Sequence, residues 1–112
     1  MLRIGEKVFA QRIEIADTFI KRLLGLMGRT KLDQEGGIIL TPCTGIHTLW
    51  MSFPIDCLYL DGDHRVIHME TIEPWRIGKI IKGCKTVIEL PKGTIERLNI
   101  KLNQKIILKE EK

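Results

Sequence analysis

A chain of 112 residues, 44% hydrophobic and 29% charged with a net charge of +4, is long enough to bury roughly two thirds of its unfolded surface without disulfides or metals. No Ser-, Gln- or Pro-rich tract marks a disordered tail, and no segment approaches the ~18 uninterrupted apolar residues of a membrane helix. The positive charge admits a nucleic acid or anionic surface only if the cations cluster.

Arg3, Glu6 and Lys7 interrupt any apolar run of a signal peptide, so a cytoplasmic location with no membrane partner is expected. Cys43, Cys57 and Cys84 are odd in number and lack paired spacing, which fits reduced, buried thiols better than a secreted disulfide framework. Two Asn and three Gln against many Lys, Glu and Ile hint at a thermophilic source.

From Lys7 to Ala16, Phe9, Ile13 and Ile15 are separated by Gln11, Arg12 and Glu14, the alternation of one half-exposed strand. Asp17 or Thr18 then offers an N-cap for a helix over residues 17–28. Phe19, Ile20, Leu23, Leu24 and Met27 recur there at helical spacing, and Gly28 is a natural stop. After a loop, Ile38 to Leu40 reads as a short buried strand.

The stretch Thr41 to Leu60 concentrates His47, Trp50, Met51, Asp56 and two cysteines. Read as a strand, it sets His47, Leu49 and Met51 on one face and Thr48, Trp50 and Ser52 on the other, until Pro54 ends the run. Ile55 to Leu60, apolar on both faces except for Asp56, is expected to be a central strand. Asp61-Gly62 predicts a tight turn into a partner strand, Arg65 to Ile72, with Leu60 facing Arg65, Leu58 facing Ile67, Cys57 facing His68 and Asp56 facing Met69.

Pro74 and Trp75 open an irregular basic connection. Its cations Arg76, Lys79, Lys82 and Lys85 fall on alternating faces of an extended chain, so a solvated loop is expected and nucleic-acid binding is disfavoured. Thr86 to Leu90 predicts another strand, Gly93 to Leu98 one helical turn, and Lys105 to Lys109 a last strand. Many short strands with one helix predict a mainly β single domain over residues 1–112, a β-sandwich or barrel with a short α-helix near residues 17–28.

Arg22-x-x-Gly25-Leu26-Met27-x-Arg29, His47-Thr48-x-x-Met51 and Pro54-Ile55-Asp56 together resemble the family known as domain of unknown function 192, or uncharacterised protein family 0127. Gly62, Pro74 and Val87-Ile88-Glu89-Leu90-Pro91-x-Gly93 are similar to its later signatures. The resemblance implies a jelly-roll type of β-sandwich with a helix at its side and assigns no activity. The chain departs from the family at Asn103-Gln104, where Gly-Asp is common before the last strand.

The candidate site follows from the polar residues. An imidazole such as that of His47 can act as acid, base or metal ligand, or sit as a buried histidine bonded to the backbone. Asp56, in an apolar strand, needs a partner, and Arg22 or Arg29 offers a bidentate one; Glu89 between Ile88 and Leu90 poses the same question. A small ligand or protein partner is expected at a pocket of Arg22, Met27, Arg29, His47, Met51, Asp56 and Glu89, with no cofactor. The alternatives are a hydrolase using His47 and Asp56 with the Cys43 thiol or a metal, and a basic nucleic-acid module. A metal would have to draw on Cys43, His47, Cys57, His64 and His68, which lack the paired spacing of structural zinc, so none is expected. Trp50, Phe53, Met51 and Trp75 could line a ligand groove, but core packing is the default for most of them, and Trp75 has the best prospect of exposure.

Overall fold

The structure, a computed structural model, describes residues 1–5, 7–18, 21, 32 and 34–108. Eight strands and one short helix are found among them. In chain order these are β1 (Leu2–Ile4), β2 (Lys7–Ala10), β3 (Arg12–Ala16), β4 (Gly36–Leu40), β5 (Ile55–Leu60), β6 (Val66–Ile72), β7 (Thr86–Pro91), α1 (Thr94–Leu98) and β8 (Ile107–Leu108). They build a three-stranded sheet ordered β2-β1-β8 and a five-stranded sheet ordered β3-β4-β7-β5-β6. Pairing is antiparallel throughout except between β3 and β4. The two sheets do not close into a barrel, so of the two expected architectures it is the sandwich-like one that forms.

The strand expected over Lys7 to Ala16 is two strands in two different sheets, broken at Gln11. The Gln11 and Arg12 amides both donate to the Glu35 carbonyl, which turns the chain from one sheet into the other. β1 carries no alternation long enough to announce itself and was not expected.

One face of the five-stranded sheet buries Ile39, Leu58, Leu60, Ile88 and Leu90 against Leu2, Phe9 and Ala10 of the small sheet, with Ile100 and Ile106 closing the cluster. The other face buries Ile38, Leu40, Ile55, Cys57, Tyr59 and Val87 under Ile46, Met51 and Cys84 from the connections 41–54 and 73–85. A strand covered on both faces should be apolar at every position, and β5, flanked by β6 and β7, is buried at all of them.

The β5–β6 hairpin forms, but two residues out of the expected register. Leu58 faces Met69, Cys57 faces Glu70 and Asp56 faces Thr71. The turn is wider than a two-residue one. Asp61 accepts the Asp63 and Arg65 amides through its carboxylate, which holds its carboxyl below the ordinary value despite the opposing effect of desolvation, and a bulge follows at Leu60. An even shift leaves each side chain on the face first expected.

The proposed helix over 17–28 lies outside the described residues apart from Asp17, Thr18 and Lys21, of which the Lys21 amide donates to Thr18 Oγ1 at 3.1 Å, the bond of an N-cap. The helical turn expected after Gly93 is α1.

Candidate functional site

Asp56 is buried and accepts three hydrogen bonds from the described residues. Its Oδ1 accepts from Thr71 Oγ1 at 2.7 Å, and its Oδ2 accepts the Gly93 and Ile95 amides at 3.0 and 2.9 Å. Gly93, with φ of 95°, gives α1 no side-chain cap of its own, so a carboxylate from the neighbouring strand takes the amides that the helix start leaves over. Met51 belongs to the opposite face of the sheet, in the core beneath the connections. Asp56 and Met51 therefore do not line one wall. Arg22, Met27 and Arg29 lie outside the described residues.

On that opposite face the strand register sets Glu70, Cys57, Glu89 and Ile38 in one row across β6, β5, β7 and β4. Cys57 sits between two carboxylates. Burial, then Glu89 and Glu70, push its thiol well above the ordinary value, so it is a poor nucleophile. Tyr59, one row along, donates from its hydroxyl to Glu70 Oε2 at 2.6 Å, and burial together with that bond pushes its pKa far above the ordinary phenol value. His68 Nε2 stands 3.6 Å from the same oxygen, and its ring lies 5.1 Å from that of Tyr59. Tyr59→Phe should cost about 1.5–3 kcal/mol of stability, the scale of a hydrogen bond to a carboxylate acceptor; urea unfolding of the pair of proteins measures it.

His47 does not begin a regular strand. It makes an isolated antiparallel bridge to Ile77, and its Nδ1 accepts the Leu49 amide at 3.1 Å, so the neutral ring carries its proton on Nε2. After Thr48 the chain turns, with Trp50 at a φ of 61°. A bulky side chain rarely adopts that left-handed conformation, and Trp75 adopts it too, at 63°. The expected parity of the segment 47–52 is lost for this reason.

The residue that organises the region is Thr48, which is fully buried. Its hydroxyl donates to the Glu73 carbonyl at 2.6 Å and accepts the Arg76 amide at 2.9 Å. Its own amide donates to the Arg76 carbonyl, and its carbonyl accepts the amides of Met51 and Trp75. Further along, Gly78 donates to Ile46 and Ile81 to Thr44, so the connections 44–51 and 75–81 run antiparallel as an irregular ribbon. Gly78 allows the close approach, since a methyl group there would come within 3.1 Å of the Ile46 carbonyl, Ile72 and the Tyr59 hydroxyl.

The end of this ribbon carries the two tryptophans. Their ring centroids are 5.3 Å apart at an interplanar angle of 49°, and they are 58% and 56% exposed. Trp75 was expected at the surface; Trp50 was expected in the core and is not there. The partnership of residues this far apart in sequence has no local signal. A tryptophan in a turn with a following Met would have been the only hint.

The remaining candidates are placed as follows. Cys43 donates its thiol to the Gly45 carbonyl at 3.0 Å, and Cys84 lies 3.3 Å from the carbonyls of Cys43 and Thr86. The three cysteines are unbridged. Among the described residues no three His, Cys, Asp or Glu side chains gather into a group that could hold a metal. Arg76, Lys79, Lys82 and Lys85 are all exposed.

A model of the family DUF192, uncharacterised ACR, matches residues 2–108. A UPF0127 protein of Thermococcus sibiricus is 36% identical over 104 residues, covering 89% of this chain and 68% of that protein. A protein of unknown function from Novosphingobium aromaticivorans superposes with a TM-score of 0.79 at 27% identity, covering 86% of this chain and 74% of that one. A proposed transcription regulator of Sinorhizobium meliloti gives a TM-score of 0.69 at 18% identity over 85% of this chain and 79% of that one, a likeness of fold alone.

Proposed function

Because the chain belongs to the DUF192 family of uncharacterised proteins, in which membership supplies a fold without an activity, its function has to be read from its own side chains, and we propose that it is a small binding domain whose recognition surface is the Trp50–Trp75 end of the two-connection ribbon. One observation carries this reading. Two neighbouring tryptophans, each held in a left-handed backbone conformation, keep more than half of their surface in water.

Both features are costly for folding alone. A non-glycine residue at positive φ costs on the order of 1–3 kcal/mol, and leaving an indole exposed forgoes much of its burial energy. A protein stabilised by its core has no need of either, whereas a ligand platform needs aromatic area held in place before the ligand arrives. Thr48 supplies that fixing from a buried position behind the rings. His47, bridged to Ile77 beside them, adds an Nε2 donor. Asp56, whose carboxylate accepts the Thr71 hydroxyl and the Gly93 and Ile95 amides and lies on the sheet face opposite the core that Cys43 packs against, argues against the hydrolase alternative.

The test uses the chain's own fluorophores. Trp50 and Trp75 are its two tryptophans, so intrinsic emission reports on this surface alone. Titration with oligosaccharides, nucleotides, single-stranded oligonucleotides and lipid vesicles should find a class that shifts the emission to the blue. Trp50→Ala and Trp75→Ala should each weaken that binding about tenfold or more, the scale of losing an aromatic anchor, while changing the unfolding midpoint little. Tryptophan variants that unfold readily and bind as well as the parent would defeat the reading.

A further inference from the structure

The aromatic pair shares the ribbon with two exposed isoleucines. On the ribbon, Ile46 and Gly78 turn inward, since Ile46 is in the core and a methyl group at Gly78 would strike Tyr59 and Ile72. Their neighbours His47 and Ile77, which are paired with each other, therefore face outward. Trp75, two residues before Ile77, is exposed as well. Beyond Ile77, Ile80 lies over Gly45, where an added methyl group would come within 3.2 Å of its Cγ1. Ile80, Ile77, Trp75 and Trp50 are thus four exposed apolar residues of the one ribbon. Ile77 and Ile80 are 77% and 81% exposed, values that leave almost no apolar contact with the protein itself.

The two connections that form the ribbon carry charge of one sign, since residues 41–54 hold no Asp or Glu. Arg76, Lys79, Lys82 and Lys85 are exposed, and no Asp or Glu occurs between Glu73 and Glu89. We infer that this surface docks on an anionic lipid bilayer, the isoleucines entering the acyl boundary, the tryptophans lying at headgroup level and the cations meeting lipid phosphates. The inference rests on the reading of Trp50 and Trp75 as the recognition surface and names its partner.

Three features select a bilayer. Single-stranded nucleic acid uses cations and aromatic faces, but nearly bare isoleucines offer no face for a base to stack on. A soluble ligand is held in a concave site, whereas these aliphatic side chains project from a ribbon lying over the sheet. Indoles with aliphatic and cationic neighbours match the layered polarity of a membrane interface, and each cation near an anionic surface contributes about 1 kcal/mol. A bilayer partner departs from the sequence reading, which expected no membrane partner and took the four cations for a solvated loop; no helix among the described residues is long and apolar enough to span a membrane. Surface docking requires none.

The experiment is co-sedimentation of the full chain with phosphatidylcholine vesicles, with and without phosphatidylglycerol, read together with tryptophan emission and quenching by brominated acyl chains. Binding should require phosphatidylglycerol, shift emission to the blue and bring quenching. Ile77→Ser with Ile80→Ser should abolish the quenching, and Lys79→Glu with Lys82→Glu should weaken partitioning about tenfold or more; all four positions are exposed, and unfolding midpoints check that the variants fold. Absence of sedimentation with anionic vesicles, or sedimentation without blue shift or quenching, overturns the inference. If emission answers instead to an oligonucleotide or another soluble ligand, the bilayer is the wrong partner and the recognition surface stands. Emission unmoved by vesicles and by every soluble ligand removes both.

Discussion

Asp56→Ala should destabilise the protein by about 3–5 kcal/mol, the largest loss expected from any single polar substitution here, measured as the shift of the urea unfolding curve. The carboxylate collects the Thr71 hydroxyl and the Gly93 and Ile95 amides in a buried position. Its removal leaves three donors without an acceptor, two of them backbone, together with a small cavity. Asp56→Asn sets the comparison. An amide oxygen can still accept both amides while its NH2 group faces a Thr71 hydroxyl turned to accept, so a loss of only about 1–2 kcal/mol is expected. Equal losses in the two variants would show that the charge, and not the acceptor geometry, is what the helix start requires.

Thr48→Val should be the second large effect, about 2–3 kcal/mol, from a substitution that preserves shape and burial. The hydroxyl joins the Glu73 carbonyl to the Arg76 amide, and valine serves neither. Thr48→Ser, which keeps the oxygen, should lose well under half as much. A second measurement separates local from global consequences: near-ultraviolet circular dichroism of the coupled indoles, 5.3 Å apart. Thr48→Val should diminish that signal even at temperatures where the far-ultraviolet spectrum is native, because the hydroxyl holds the ribbon end that presents Trp75. An unchanged aromatic spectrum would mean that the backbone bonds of Thr48 suffice to position the rings.

How much of this was legible in the sequence depends on the range of the interaction. β5 was readable because a strand covered on both faces must be apolar at consecutive positions, and Ile55 to Leu60 satisfies that with one exception. α1 was readable from Gly93 and the residues after it. The hairpin was readable as a pairing but not in register, since the bonds of Asp61 to Asp63 and Arg65 widen the turn. Asp56 was recognisable as a residue that needed partners. That the described ones would be a threonine on the next strand and two amides at a helix start depends on positions 15 and 37–39 residues away.

The ribbon was the least legible part. Thr48 has the composition of an ordinary strand residue, and its partners are 25 and 28 residues distant. The departure from the family at Asn103-Gln104 does become intelligible once the backbone is known. Asn103 sits at a φ of 73°, a conformation natural to glycine that asparagine tolerates better than most residues. Gln104 Oε1 accepts the Lys101 amide at 2.8 Å, which closes the turn before the last strand.

The pairing of Leu2 with Leu108 bears on the order in which the molecule assembles. The five-stranded sheet draws its strands from residues 12 to 91, whereas the small sheet needs partners from the two extremes of the sequence. Bringing such distant segments together is the slowest kind of contact to form from an open chain. Once the large sheet has folded, however, the open loop shortens greatly, because most of the intervening residues are already fixed. The β1–β8 edge is then the last piece to lock, whereas β1 and β2 are neighbours in sequence and pair as a local hairpin. Pulsed hydrogen exchange during refolding should accordingly protect the β8 amides after those of β5 and β7.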